Sequence, residues 1–187
     1  MNHKQPRIGI VVSSTRPSRI CRQIAEWFYT IVSEEKQLSF SFIDLLEINL
    51  PFLDEPNIPA SGLYEYQHTK DWSELITSYT GFVFVFPQYN WGYPAPLKNA
   101  LDFLYTEWAE KPVSLVTYGR HGGSKAALQM QQILKGLHMR NTHTNLEISI
   151  NETMFNEAGQ FKHIQTDLAS YKATAHSMTN ELSALLL

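Results

Sequence analysis

The sequence predicts an α/β fold, an open parallel sheet with helices on both faces, and three observations predict it. The first is a pair of short continuous apolar runs, Ile8 to Val12 and Phe82-Val83-Phe84-Val85-Phe86, of the kind that forms central strands buried on both sides. The second is that segments with apolar residues at helical spacing alternate with such runs along the chain. The third is that the loops following three of the strands hold hydroxyls, aromatic rings and glycines. In open α/β sheets ligands bind in the crevice beyond the carboxyl ends of the strands, at the switch point of strand order.

Each element follows in order. Ile8, Ile10 and Val12, with Gly9 and Val11 between them, make the first strand. Ile20, Ile24, Trp27, Phe28 and Ile31 recur at helical spacing, and Pro17 with Ser18 supplies helix-start chemistry, so a helix is expected from near Ile20 to about Lys36. Leu38 to Leu45 alternates around Phe40, Phe42 and Ile43 and reads as the second strand. Pro51, Pro56 and Pro59 interrupt regular structure between Leu46 and Ala60, while Phe52 and Leu53 make that stretch a packed surface loop. Trp72, Leu75, Ile76 and Tyr79 predict a helix closed by Gly81. The third strand stops at Pro87, and Leu97, Ala100, Leu101 and Leu104 share one face of the next helix. Val113, Leu115 and Val116 form a fourth strand, followed by a helix through Ala127, Met130, Leu134 and Leu137. Leu146, Ile148 and Ile150 alternate as a fifth, less buried strand. Leu168, Tyr171, Ala175, Met178, Leu182 and Leu185 stripe a long terminal helix. The stripes of the Leu97 helix and of the terminal helix either pack on the sheet or offer a surface to a second copy.

Composition narrows the function. With 187 residues, no repeat and no composition break, residues 1–187 read as a single domain. The formal net charge of −3 argues against a nucleic-acid partner and leaves small molecules. The lone cysteine, Cys21, excludes a disulfide framework and a cysteine-based zinc cluster, and reads best as a small buried residue. No apolar run reaches membrane-spanning length and the polar start is no signal peptide, so a cytoplasmic protein is expected. The seven histidines show no metal-pair spacing, so no metal is expected. There is no GxGxxG after the first strand and no GxxxxGK followed by Ser or Thr; Ser124 lies in no GxSxG elbow.

What remains are the three loops. After the first strand, Ser13-Ser14-Thr15-Arg16-Pro17-Ser18-Arg19 sets hydroxyls, turn amides and Arg16, Arg19 and Arg22 around the amino end of a helix, with no acidic residue between Ile8 and Ala25. Helix capping alone does not require so many donors, and we read the stretch as a phosphate cradle. After the third strand, Pro87, Gln88, Tyr89, Asn90 and Trp91 offer flat apolar faces and amides suited to a planar ring. After the fourth, the loop Tyr118 to Gly123 carries Gly119, Gly122 and Gly123, whose missing side chains let backbone approach the ring's other edge. Taken together they describe a site for a phosphorylated planar heterocycle.

Beyond this reading, the chain resembles the NADPH-dependent FMN reductases, a flavodoxin-like family that includes quinone and azo reductases. The likeness runs from Ile8 to about Met139 and lies in Ser14-Thr15-Arg16-Pro17 before Ala25-Glu26-Trp27, Leu50-Pro51-Phe52, Pro87 to Pro94, Leu97 to Asp102, Glu107-Trp108 with Lys111-Pro112, and Tyr118-Gly119 with Gly122-Gly123. The resemblance implies a flavodoxin-like three-layer sandwich with a five-stranded parallel sheet in the order 2-1-3-4-5. It implies an FMN whose phosphate is held by Ser14, Thr15, Arg16 and the Ser18–Arg19 turn. Pro87, Gln88, Tyr89, Asn90 and Trp91 would border the isoalloxazine, with Tyr118, Gly119 and Gly123 at its far edge. It further implies a homodimer or homotetramer that takes a hydride from NADPH or NADH and reduces quinones, free flavin or similar acceptors by a ping-pong scheme, with no catalytic side chain required. The sequence departs from the family's glycines at Ser13 and Ser18. The alternatives are a flavodoxin-type electron carrier, a flavin-dependent sensor, and a phosphate-binding domain without flavin.

Overall fold

A computed structural model of the chain describes residues 5–35 and 37–186; the polar start at residues 1–4 and the expected helix end at Lys36 lie outside them. Strands β1 (Arg7–Val12), β2 (Ser39–Asp44), β3 (Gly81–Pro87) and β4 (Pro112–Gly119) pair in parallel in the order β2-β1-β3-β4. The fifth position is shared by two short strands rather than one: β5 (Arg140–Asn141) pairs with the start of β4 and β6 (Leu146–Ser149) with its end, both in parallel. The break has a local cause. The amides of His143 and Thr144 donate to the Glu181 carboxylate at 2.7 and 3.0 Å, while the buried Thr142 hydroxyl lies 3.1 Å from that of Ser114 and 3.2 Å from the Thr144 carbonyl. The backbone amides of His143 and Thr144 are thus satisfied off the ladder. Leu146 and Ile148 are fully buried while Glu147 is half-buried and Ser149 exposed, so this strand is the less buried one that its alternation suggested, against a wholly buried β3.

Helix α1 (Cys21–Val32) covers one face of the sheet. The expected run from Ile20 is therefore shorter, and its first residue is preceded by no side-chain cap. A short helix, α2 (Leu45–Ile48), follows β2 where a strand end and loop were expected, because the Asp44 side chain accepts from the Leu46 amide at 3.1 Å and starts a turn. On the other face lie α3 (Gln67–Thr77), α4 (Ala95–Asp102) and α5 (Ser124–Gly136). Ser78 closes α3, its N–H and hydroxyl both bonding last-turn carbonyls. Gly81 instead opens β3, where a Cβ would stand 3.0 Å from the Pro112 carbonyl. The expected terminal helix is broken into α6 (Ile164–Asp167), a 3-10 turn and α7 (Lys172–Ala184).

The apolar side chains of the strands alternate between the two faces. Ile8, Ile10, Val12, Val83, Val85 and Val116 pack with α1 and α7. Val11, Phe82, Phe84 and Leu115 pack with α3, α4 and α5. On that second face Trp108 meets Phe82 edge-on at 5.1 Å and Phe84 at 6.1 Å. Gly9 makes room for this cluster, since a Cβ there would lie 3.0 Å from the Phe82 ring. The Leu97 and terminal-helix stripes are both spent on the sheet: Leu97, Ala100 and Leu101 lie in one core, and Ala175, Met178 and Leu182 in the other. Neither remains as a surface for a second copy.

Candidate functional site

β2 and β3 flank β1 on opposite sides, so the switch point of strand order lies between β1 and β3, and the loops after β1, β3 and β4 open there. The first loop begins as an extension of the sheet, with the Ser13 amide donating to the Val85 carbonyl at 3.1 Å. Ser14 is buried and its hydroxyl lies 3.0 Å from that of Tyr89, tying the first loop to the second. Arg16, Pro17 and Ser18 then stand exposed, and a turn closes with the Arg19 amide donating to the Arg16 carbonyl. The uncapped amides that start α1 keep the positive end of its dipole on this side. Neither Ser13 nor Ser18 has a positive φ, so the backbone here accepts serine where the family carries glycine.

The Arg16 guanidinium sits 5.7 Å from the centroid of the Tyr89 ring. Arg19, which also borders the space at the switch point, is held in a bidentate pair with the buried Asp44.

The second loop is a tight hairpin, Tyr89 and Gly92 exchanging both backbone hydrogen bonds at 2.9 and 2.8 Å around Asn90 and Trp91 at φ 48° and 69°. This turn carries Trp91 outward: it is 66% exposed, with the Lys125 ammonium 5.2 Å from its ring. Gln88 serves two elements. Its backbone amide donates to the Tyr118 carbonyl, and its side-chain oxygen accepts from the Lys125 and Ala126 amides, capping α5 in place of a residue at Gly123 that has no side chain.

In the third loop Tyr118 is buried beside Cys21, whose thiol donates to the Val85 carbonyl. Burial pushes the Cys21 thiol up. It also pushes the Tyr118 hydroxyl well above its ordinary value, Cys21 adding to the effect, so both keep their protons near neutral pH.

Two cavities result. One, of about 460 Å³, is lined by Arg16, Ser18, Arg19, Pro87, Gln88, Tyr89, Tyr118 and Gly119, which brings eight of the sequence-designated residues together. Its far wall is Arg120, Ile150, Glu152, Phe155 and Gly159, which sequence reasoning missed. The fifth strand was expected, and the crevice rule applied to its exit loop would have marked Ile150 and Glu152. Nothing periodic marks Phe155, which is placed by the packing of its ring on Phe161 at 4.7 Å. The second cavity, of about 490 Å³, lies on the other side of Thr15 and gathers Leu45, Asn49, Leu50, Pro51, Phe52, Pro96 and Asn99. Asn90, Trp91 and Gly123 line neither cavity; Ser14 touches the first through Tyr89. Among the described residues, no three or more His, Cys, Asp or Glu side chains are grouped to hold a metal, and no helix is long and apolar enough to cross a membrane.

The strand order, with the loops after β1, β3 and β4 gathered at its switch point, defines a flavodoxin-like α/β protein. A family described as NADPH-dependent FMN reductase matches residues 6–151. An NAD(P)H-dependent FMN reductase of Schizosaccharomyces pombe is 44% identical over 137 residues, covering 72% of this chain and 68% of that protein. One of Saccharomyces cerevisiae is 43% identical over 144 residues, covering 71% and 75%. The chain belongs to the NADPH-dependent FMN reductase family. As a member it is an oxidoreductase with FMN as cofactor and NAD(P)H as reductant.

Among solved structures, the flavoenzyme NAD(P)H:(acceptor) oxidoreductase FerB of Paracoccus denitrificans superposes with a TM-score of 0.73 at 15% identity, covering 96% of this chain and 98% of that one. The NAD(P)H:quinone oxidoreductase of Methanothermobacter marburgensis gives 0.67 at 14%, covering 92% and 98%. At these identities the likeness establishes the fold.

The residues present fit FMN. The first cavity is within the range of roughly 300–1,000 Å³ usual for cofactor sites. Arg16 is exposed on its wall and has no carboxylate partner among the described residues, and the amino end of α1 adds positive potential beside it.

Proposed function

We propose that residues 1–187 form one FMN-binding domain that serves as a cytoplasmic NAD(P)H-dependent reductase of quinones, free flavin or similar small acceptors. FMN bound in the first cavity would supply the redox chemistry, taking a hydride from NAD(P)H and then reducing the acceptor in a ping-pong scheme. Ser14, Thr15, Arg16 and the Ser18–Arg19 turn would hold its phosphate. Pro87, Gln88 and Tyr89 would border the ring and Tyr118 and Gly119 would form its far edge, with Asn90, Trp91 and Gly123 shaping the turns that carry them. The side chains of the site position and exclude water. Cys21 and Tyr118 are buried and raised by that burial, so neither serves as a base near neutral pH.

One observation carries this reading: Arg16, Tyr89 and Gly119, from three loops far apart in sequence, line a single cavity at the switch point. A homodimer or homotetramer is supported by apolar residues left in solvent, with Phe52 86% and Ile58 72% exposed. The test is anaerobic mixing of the yellow FMN-loaded protein with NADPH. Rapid bleaching, return of colour on adding a quinone, and parallel double-reciprocal plots are expected. Slow bleaching would leave the protein an electron carrier or sensor, and a colourless protein that takes up no FMN would overturn the assignment.

A further inference from the structure

We infer that Arg19 and Asp44 form a latch that holds the anion loop in its binding shape, leaving Arg16 as the cation that meets the phosphate; this rests on the reading of the first cavity as the FMN site. Asp44 is the last residue of β2, set opposite Val12 of β1 by the parallel register. Its side chain is 1% exposed and that of Arg19 14%. The two join through parallel hydrogen bonds of 2.5 and 2.8 Å, the two-pronged geometry that makes an arginine–carboxylate pair strong and directional.

The same guanidinium reaches into the loop. Arg19 Nη1 donates to the Ser14 carbonyl at 2.9 Å. Because a trans peptide points its N–H opposite to its carbonyl, fixing the Ser14 carbonyl against Arg19 turns the Thr15 N–H away from it. One side chain therefore sets the orientation of a peptide in the middle of the cradle. Asp44 also accepts from the Leu46 amide at 3.1 Å and has Arg22 Nη1 at 3.6 Å, so β2, α2, α1 and the anion loop meet at one carboxylate.

Arg19 is thus committed. Swinging it onto a phosphate would strip the buried Asp44 of its two-pronged partner, leaving only the Leu46 amide and Arg22 at 3.6 Å, and a buried carboxylate short of its main partner costs more than an added solvent-facing contact returns. Arg16 has no such commitment, being exposed on the cavity wall beside Tyr89.

The latch and a direct phosphate ligand make opposite predictions for Asp44→Asn. Protein loaded with FMN or with riboflavin, which lacks the phosphate, is diluted, and release is followed by the rise in free-flavin fluorescence. The parent is expected to hold FMN more tightly than riboflavin. Arg16→Met should lower FMN affinity roughly tenfold to a hundredfold, as loss of a charge-assisted contact does. Asp44→Asn and Arg19→Met should each lower it about tenfold with riboflavin nearly unchanged, and the double variant should be no weaker than either alone, as for two parts of one device. If either variant fails to fold, Arg19→Lys, which keeps a charge for Asp44 but loses the second prong, should show a smaller loss of the same kind. FMN held as tightly or more tightly by Asp44→Asn would overturn the latch and make Arg19 a direct ligand. Equal losses for FMN and riboflavin would also overturn it, reducing the pair to general scaffolding. A parent that holds both flavins equally well would instead contradict the reading of the cavity.

Discussion

Gly123 is the residue whose identity is most tightly set by its surroundings. Its φ of 96° is one that side-chain-bearing residues rarely adopt, and a Cβ would stand 2.8 Å from Cβ of Thr117 and 2.9 Å from its Oγ1. Thr117 cannot yield freely, because its hydroxyl donates to the Gly122 carbonyl at 3.0 Å within the same turn. Gly123→Ala should destabilise the protein by about 2–4 kcal/mol, summing backbone strain and overpacking. Urea unfolding would measure it, and a loss below about 1 kcal/mol would show that the turn relaxes more easily than its contacts imply. Gly123, read from the sequence as a border of the ring, is not among the residues lining the first cavity; it shapes the turn that follows Gly119.

The strap between α2 and α3 has a single 3-10 turn, Pro59–Ser61, as its regular structure and is held by side chains, most of them from elsewhere. Asn99 of α4 accepts from the Leu53 amide and donates to the Pro51 carbonyl at 2.9 and 2.7 Å. Glu55 takes the amides of Glu65 and Tyr66. Glu107 accepts from Tyr64 at 2.9 and 3.1 Å and from Ser73 at 2.6 Å. Burial works to raise the Glu107 carboxyl, but these hydrogen bonds, led by that of Ser73, outweigh it and hold the group below its usual range. A carboxylate lowered in the folded state contributes stability above its unfolded value near 4.3, and that contribution fades as pH falls through the folded value. Glu107→Gln should cost about 1–3 kcal/mol at neutral pH and soften the acid limb of a stability profile. An unchanged midpoint and acid limb would show that the strap is held by its other ties. The prolines made a packed loop legible, but its anchors were not, since each lies more than thirty positions from the backbone or hydroxyl it holds or is reached only through the turn at Glu55.

At the scale of the whole molecule, a half-buried lysine and a buried thiol bend the alkaline stability profile in opposite senses. Lys111 enters β4 with its ammonium donating to the Ile76 carbonyl at 2.7 Å, 5.6 Å from the Phe82 ring centroid, and burial lowers it to about 8, partly opposed by Glu107. The unfolded lysine titrates near 10.4, so between pH 8 and 10.4 the unfolded chain binds more protons and stability gains as pH rises. For Cys21 the sign reverses. Its thiol is raised by burial while the unfolded thiol ionises near 8.5, so stability is lost above that pH. Thermal midpoints followed from pH 7 to 10 should fall more steeply for Lys111→Met than for the parent, and less steeply for Cys21→Ala. The reverse order would contradict the burial of these groups.

The sequence by itself determined the α/β class, the order of the first four strands' segments along the chain and the three loops that converge, because parallel strands buried on both faces need continuous apolar runs and their exit loops fall on one edge. Only the tertiary structure decided how the residues in those loops are shared out. Between Ile8 and Ala25 the chain shows three arginines and no acid, and all three read as equally free for an anion. Parallel pairing of β2 with β1 then brings Asp44 to the end of Val12, and its carboxylate claims Arg19. Likewise Gln88 is spent on capping α5 and Trp91 is turned into solvent by a hairpin whose φ values no residue count reveals. Charge and polarity are local properties that sequence displays, whereas the partner that satisfies a buried charge is chosen by strand register across long stretches of chain.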